Sequence, residues 1–229
     1  MKKIILFFFL IINLYTYSQL SLENSLSGIY SKSNNVQFNF LLNGNNTFTI
    51  KKFKFESNTN YQNTFSPKLE SNELGQRLNV SIKLKEKTYF TTYQFGYSLA
   101  RQVKSNNLIG LGLIFYQKSI DTTKSFSSSY AILYQNSISF LDTSNHNFRH
   151  SLRMKAKYVG RKFVFNSEYF YQPNLKNYND YTIFGNTKLT IPLKNWIGLT
   201  IQDNLNYNSI SSIKLIHTIT MGFEIKYQK

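Results

Sequence analysis

The sequence predicts an all-β fold, an antiparallel transmembrane β-barrel of about twelve strands with ten as the alternative count. Three observations carry this reading. Apolar and polar residues alternate with period two along stretches longer than ordinary strands, which run about five or six residues. Tyr and Phe supply 17 and 20 of the 229 residues against a single Trp, more rings than a soluble core needs but suited to a lipid-facing surface and its interfaces. No helical periodicity is visible beyond the N-terminus.

The chain begins MKKIILFFFLIINLYTYSQ. Lys2 and Lys3 form a basic start, Ile4 to Ile12 an apolar run, and Thr16-Tyr17-Ser18 a small-x-small cleavage site. The apolar run is too short to span a membrane, so residues 1–18 read as a Sec signal peptide cleaved before Gln19, and 19–229 as the exported barrel. Beyond residue 18 no apolar stretch approaches the roughly 18 residues of a transmembrane helix. There is no cysteine, hence no disulfide framework, thiol nucleophile or lipid-bearing thiol.

The alternation then runs down the chain. In 78–84, Leu78, Val80, Ile82 and Leu84 oppose Arg77, Asn79, Ser81 and Lys83. In 89–100, Tyr89, Thr91, Tyr93, Phe95, Tyr97 and Leu99 oppose Phe90, Thr92, Gln94, Gly96, Ser98 and Ala100. Residues 130–140 set Tyr130, Ile132, Tyr134, Ile138 and Phe140 against serines, Ala131 and Gln135. Residues 148–158 set Phe148, Leu152, Met154, Ala156 and Tyr158 against Arg149, Ser151, Arg153, Lys155 and Lys157. The pattern recurs in 163–171, 197–207 and 215–227. Each segment has one apolar and one wet face and is long enough to cross a bilayer at a tilt, which takes roughly 9–11 residues. A soluble β-sandwich would pair its apolar faces and use shorter strands.

Turn signals separate the runs: Ser33-Asn34-Asn35, Asn43-Gly44-Asn45-Asn46, Lys104-Ser105-Asn106, Asp142 to Asn145, and Val159-Gly160. Pro67, Pro173 and Pro192 are expected between strands, because proline donates no ladder hydrogen bond. Phe48 and Ile50 occupy even positions but Phe53 and Phe55 odd ones, so the phase slips at Lys51-Lys52 through either a bulge or a turn. An even strand count puts both termini in the periplasm. Residues 66–75, 141–147, 173–179 and 208–214 are then external, and 85–88, 159–162 and 192–195 periplasmic. The stretch 119–127 is long for a periplasmic turn. Tyr30, Tyr89, Tyr158, Tyr171, Tyr181, Trp196, Tyr207 and Tyr227 fall near strand ends, where interfacial girdles belong.

At LSLENSLSGIYSKSNN and SLARQVKSNNLIGLGLIFYQ the chain resembles the exported barrels often called salt-induced outer-membrane proteins, of Gram-negative bacteria. Gly28 followed by Asn34-Asn35, then Arg101 with Gly110 and Gly112, and later Asp180-Tyr181 carry the likeness. The resemblance spans most of residues 20–228. It implies an outer-membrane location and a β-barrel without established chemistry, so no catalytic residue is carried over. The chain ends Tyr227-Gln228-Lys229, so recognition by the barrel-assembly machinery would rest on Tyr227 or an internal aromatic such as Phe223.

The formal charge is +16, or +14 without Lys2 and Lys3. Export argues against nucleic acid as the partner and leaves outer-membrane lipid, lipopolysaccharide and small anions; codon bias toward Lys and Asn is the alternative source of the charge. Lys51, Lys52 and Lys54 are expected near an interface with lipid phosphates. The protein is expected to be a monomer, without cofactor, metal site or enzymatic activity. His150 and Ser151 point to opposite strand faces and make no nucleophile–base pair. His150 and His217 share the apolar phase, where a neighbouring serine would make an interfacial lipid-modifying site. His146 completes the histidines, which lack metal-ligand spacing. The scattered acids, 11 in all, show no catalytic carboxylate pair. Gly110-x-Gly112 lacks the context of a phosphate loop and is expected to relieve crowding in a curved strand.

One constellation stands out: Arg149, Arg153, Lys155 and Lys157 on a single wet face. Such charges must face water, pair with acids or bind anions. Glu168 on the next strand is the expected partner, with Glu224 and Asp180 at other lumenal positions. The functional expectation is a passive channel or solute-binding barrel with a basic lumen. The alternative is a structural or stress-related envelope barrel filled by its own side chains.

Overall fold

A sheet whose strands all carry one apolar and one polar face leaves no unpaired edge only by closing on itself. The computed structural model shows this closure. It describes residues 19–32, 36–50, 52–65, 71–84, 87–99, 101–119, 123–194, 196–211 and 214–228; the proposed signal peptide, 1–18, lies outside them. Among the described residues the strands are β1 (Gln19–Lys32), β2 (Val36–Ile50), β3 (Phe53–Phe65), β4 (Ser71–Leu84), β5 (Lys87–Ser98) and β6 (Val103–Ser119). They continue as β7 (Lys124–Ser139), β8 (Ser144–Val159), β9 (Val164–Pro173), β10 (Tyr181–Lys194), β11 (Ile197–Asn208) and β12 (Leu215–Gln228). Every strand pairs antiparallel with its sequence neighbours, and β1 pairs with β12 to close the ring, Leu26 opposite Phe223.

The connections at the end carrying both termini are short: 51–52, 85–86, 120–123, 160–163 and 195–196. The opposite end holds the longer ones, including 174–180 and 209–214. The phase slip falls between two paired strands rather than at a bulge, since Ile50 pairs with Phe53 and Lys52 lies in a turn; Lys51 lies outside the described residues. The long stretch at 119–127 resolves because β6 runs through Ser119 and β7 starts at Lys124.

Several sequence-based boundaries are corrected. Asn43-Gly44-Asn45-Asn46 lies inside β2 and Lys104-Ser105-Asn106 inside β6. Residues that normally mark loops are tolerated there because the lumenal face offers polar partners in place of loop water; Asn43, for example, donates to Gln202 Oε1 at 3.0 Å. Pro192 lies within β10 at a register shift between Pro192 and Lys194, and Pro173 is the last residue of β9. Pro67 and Ser33-Asn34-Asn35 lie outside the described residues. The strand expected over 89–100 ends at Ser98, where Gln102 turns the chain with a φ of 57°.

The distribution of side chains is inside-out relative to a soluble domain. The buried apolar residues described are Leu108, Ala131, Leu133 and Phe170, whereas Thr190, Thr200, Thr220 and Glu224 are buried and polar. Large apolar side chains ring the outside: Ile109, Leu111, Ile132, Leu152, Met154, Ile219, Met221 and Phe223 are exposed. Two aromatic bands bound this belt. Tyr171, Tyr181 and Tyr207 are near the rim opposite the termini, with ring centroids 5.7 Å apart in both successive pairs. Tyr89, Tyr158 and Trp196 lie exposed near the end carrying the termini. The side chains of Tyr30 and Tyr227 lie outside the described set.

Gly110 and Gly112 mark the tightest wall. A Cβ on Gly110 would stand 2.2 Å from the Ile132 carbonyl oxygen and 2.5 Å from Leu133 Cδ2. On Gly112 it would stand 2.5 Å from Phe90 Cζ. The two glycines let β6 approach β5 and β7 closely enough for its Leu108 to pack with Ala131, Leu133 and Phe90, the crowding relief that a curved strand needs.

Candidate functional site

The barrel encloses a lumenal cavity of about 640 Å³ lined chiefly by polar and charged residues. Its four sequence-predicted bases all project inward from β8, because lumenal and lipid-facing residues alternate along a strand. They meet different fates. Arg149 is buried at the rim opposite the termini. Its Nη2 donates to Asp180 Oδ1 at 2.7 Å and Oδ2 at 2.9 Å, its Nη1 to the Gln172 carbonyl at 3.0 Å, and its Nε to Gln135. Asn174 also donates to Asp180 Oδ2, at 2.9 Å. This arrangement ties both ends of the 174–180 connection to Arg149 and closes the charge locally. The open basic wall is therefore shorter than the sequence predicts, running from Arg153 through Lys155 to Lys157.

Arg153 meets Glu168, the expected partner, on β9. Glu168 also takes a cation that sequence reasoning did not pair with it. Arg77, on β4 nearly opposite in the ring, donates from Nη2 to Glu168 Oε2 at 2.7 Å. The contact crosses the lumen. Both guanidiniums lie over the Phe170 ring, 4.7 Å from its centroid for Arg77 and 5.7 Å for Arg153. Phe170 in turn stacks on Phe184 at 4.7 Å with an interplanar angle of 8°. Lys155 stands opposite Glu168 in the strand register and within its electrostatic reach. Arg77, Arg153 and Lys155 thus gather around Glu168, while Lys157 lies nearer the end carrying the termini and Glu56, paired with Lys54, adds a second carboxylate to the cavity wall.

Two further contacts brace the lumen. Arg101, in the β5–β6 connection, reaches β11 on the far side and donates to the Asn206 side chain and carbonyl, both at 2.8 Å. Lys188 pairs with the buried Glu224, which also accepts Thr190 Oγ1 at 3.0 Å. Lys54 turns toward Glu56, 2.6 Å away, rather than toward lipid phosphates; Lys52 is exposed in the turn and Lys51 lies outside the described residues.

Arg77 and Glu224 were on the wet faces read from the sequence, so their inward direction was legible but their partners across the ring were not. Phe170 gave no signal, because an aromatic on a wet face breaks the alternation. The histidines lie on the outer face. His150 Nδ1 is 2.5 Å from the Tyr130 hydroxyl, and His146 Nδ1 is 3.0 Å from that of Tyr134. His217 Nε2 is 2.6 Å from Asp203 Oδ1. These contacts join histidine to tyrosine or aspartate and supply no serine–histidine pair for acyl transfer.

No protein-family model matches the sequence, and no curated protein sequence matches it. Solved structures do match its fold. The NanC porin aligns with a TM-score of 0.57 at 11% identity, covering 90% of this chain and 100% of that one. An outer-membrane channel of Pseudomonas putida F1 aligns with a TM-score of 0.50 at 7% identity, covering 92% and 94%. The fold shared with these proteins is the porin-like β-barrel of the bacterial outer membrane.

Proposed function

We propose that the protein is a small passive outer-membrane channel whose constricted lumen favours anions. The observation that carries this reading is the lumenal basic wall, where Arg77, Arg153, Lys155 and Lys157 face a polar cavity and outnumber the carboxylates beside them, Glu168 and the Lys54-paired Glu56. Rings of like charge select the opposite ion at close quarters, and the low-dielectric wall strengthens their field. The apolar belt between two aromatic bands supports residence in a membrane; we take the protein to be exported by Sec, inserted by the barrel-assembly machinery and resident as a monomer amid outer-membrane lipid and lipopolysaccharide. Kinship with the salt-induced outer-membrane proteins belongs to the same proposal and rests on the Gly28, Arg101 and Gly110-x-Gly112 positions.

The test is single-channel recording in a planar bilayer under a potassium chloride gradient, using protein shown to be folded by heat-dependent gel mobility. Discrete steps with an anion-favouring reversal potential are expected. A cation-favouring potential contradicts the proposal. A second reading, a barrel filled by its own side chains and without transport, is favoured by the contacts of Arg77 and Arg101 across the lumen; folded, inserted and silent protein would establish it.

A further inference from the structure

We infer that Glu168 is a tethered carboxylate occupying a binding site for the carboxylate of a permeating solute, and that exchange of the one for the other opens the strut between β4 and β9. The inference deepens the channel reading and rests on it for the word permeating; the binding site itself does not.

The site's present occupant states its chemistry. One carboxylate sits between two guanidiniums that reach it from opposite walls, Arg77 at 2.7 Å and Arg153 as an ion pair. Neither guanidinium is fully used. A guanidinium presents five donors, and its Nε–Nη edge matches a carboxylate in bidentate fashion. The Nε atoms of Arg77 and Arg153 are buried without a hydrogen-bond partner, and Glu168 Oε1 meets Arg153 without hydrogen-bond geometry. Such unmet donors are costly in a buried setting and are met by a ligand that presents two oxygens. Compare Arg149, whose Asp180 carboxylate accepts with both oxygens.

The site is also held open for exchange. The Phe170 ring lies under both guanidiniums and is backed by Phe184, so the two cations keep their places when Glu168 swings away. Lys155 adds a positive charge at the same level and makes no ion pair of its own at contact distance among the described residues. Replacing one carboxylate by another leaves the local charge unchanged. Breaking the strut without replacement would leave charges uncompensated, so an anion must take the place of Glu168, and a carboxylate is favoured over chloride because its two oxygens engage a guanidinium edge in bidentate fashion, which a single-atom anion cannot do. The chemical class assigned is a small carboxylate.

The experiment uses folded full-length mature protein in detergent and 13C-labelled acetate, followed by NMR titration, beside bilayer recordings in chloride and in acetate. Wild type is expected to bind acetate weakly. Glu168→Gln should bind it several-fold more tightly, because the internal competitor no longer carries charge. Glu168→Asp keeps the charge but shortens the reach, and should also bind several-fold more tightly; Arg153→Gln should bind more weakly than wild type. Equal affinity of Glu168→Asp and wild type would reduce the effect to net charge and overturn the exchange. Absence of acetate binding in all four folded proteins would overturn the site. Acetate binding by a barrel silent in the bilayer would sink the channel reading alone, whereas conduction without acetate binding would sink this inference alone.

Discussion

Two charged clusters lie in the same lumen and are built on opposite principles. At the rim, Arg149 and Asp180 match one cation with one carboxylate, and both are almost fully buried. In the middle, Arg77, Arg153 and Lys155 surround Glu168, and the guanidinium Nε atoms are left without partners. A closed pair fixes a connection in place. An open cluster keeps a field directed at whatever enters. The difference separates scaffolding charge from working charge on the basis of stoichiometry rather than position, since Arg149 and Arg153 lie on the same face of one strand, four residues apart.

The largest effect expected from this contrast is on stability. Arg149→Ala leaves Asp180 buried without its cation and should cost about 3–5 kcal/mol, read as a lower midpoint in urea unfolding of the detergent-folded barrel. The paired change Arg149→Met with Asp180→Leu should recover most of that loss, because an apolar pair of similar volume carries no desolvation cost. Failure of the double variant to recover would show that the connection at 174–180 is held by more than this pair.

Next in size is packing at the glycines. Gly110→Ala places a methyl group 2.2 Å from a carbonyl oxygen and should destabilise by about 1–3 kcal/mol, in the same unfolding assay, without altering ion preference. A change in selectivity from this variant would blur the distinction between wall and working cluster. Farther along the same wall, Lys157→Gln should reduce anion preference while leaving the unfolding midpoint near wild type, since Lys157 is exposed to the lumen. The smallest effect is expected at Lys104–Asp142, an exposed pair with side chains 56% and 74% accessible. Lys104→Ala should change stability by less than about 1 kcal/mol, which fixes the lower end of the scale for ion pairs in this protein.

The barrel was legible because period-two alternation records, residue by residue, which face meets lipid and which meets the lumen. Leu78 against Arg77 and Met154 against Arg153 are sufficient to orient β4 and β8. Alternation carries no information about which walls meet across the ring. The Arg77–Glu168 contact joins residues 91 positions apart and depends on the closed ring's cross-section, so only coordinates reveal it. Asn43 to Asn46 predicts a turn because Asn and Gly favour turns in water; beside a polar lumen Asn43 instead finds its partner from within a strand. Phe170 escaped for the converse reason, as an aromatic placed among polar neighbours to support two guanidiniums.

The most direct test of the contrast is the reversal potential of wild type and Arg153→Gln, recorded side by side in one potassium chloride gradient. The account predicts an anion-favouring potential in wild type and a shift toward cations in Arg153→Gln. Identical potentials in two conducting proteins would contradict it, and would mean that the mid-lumen cluster is scaffolding like the pair at the rim.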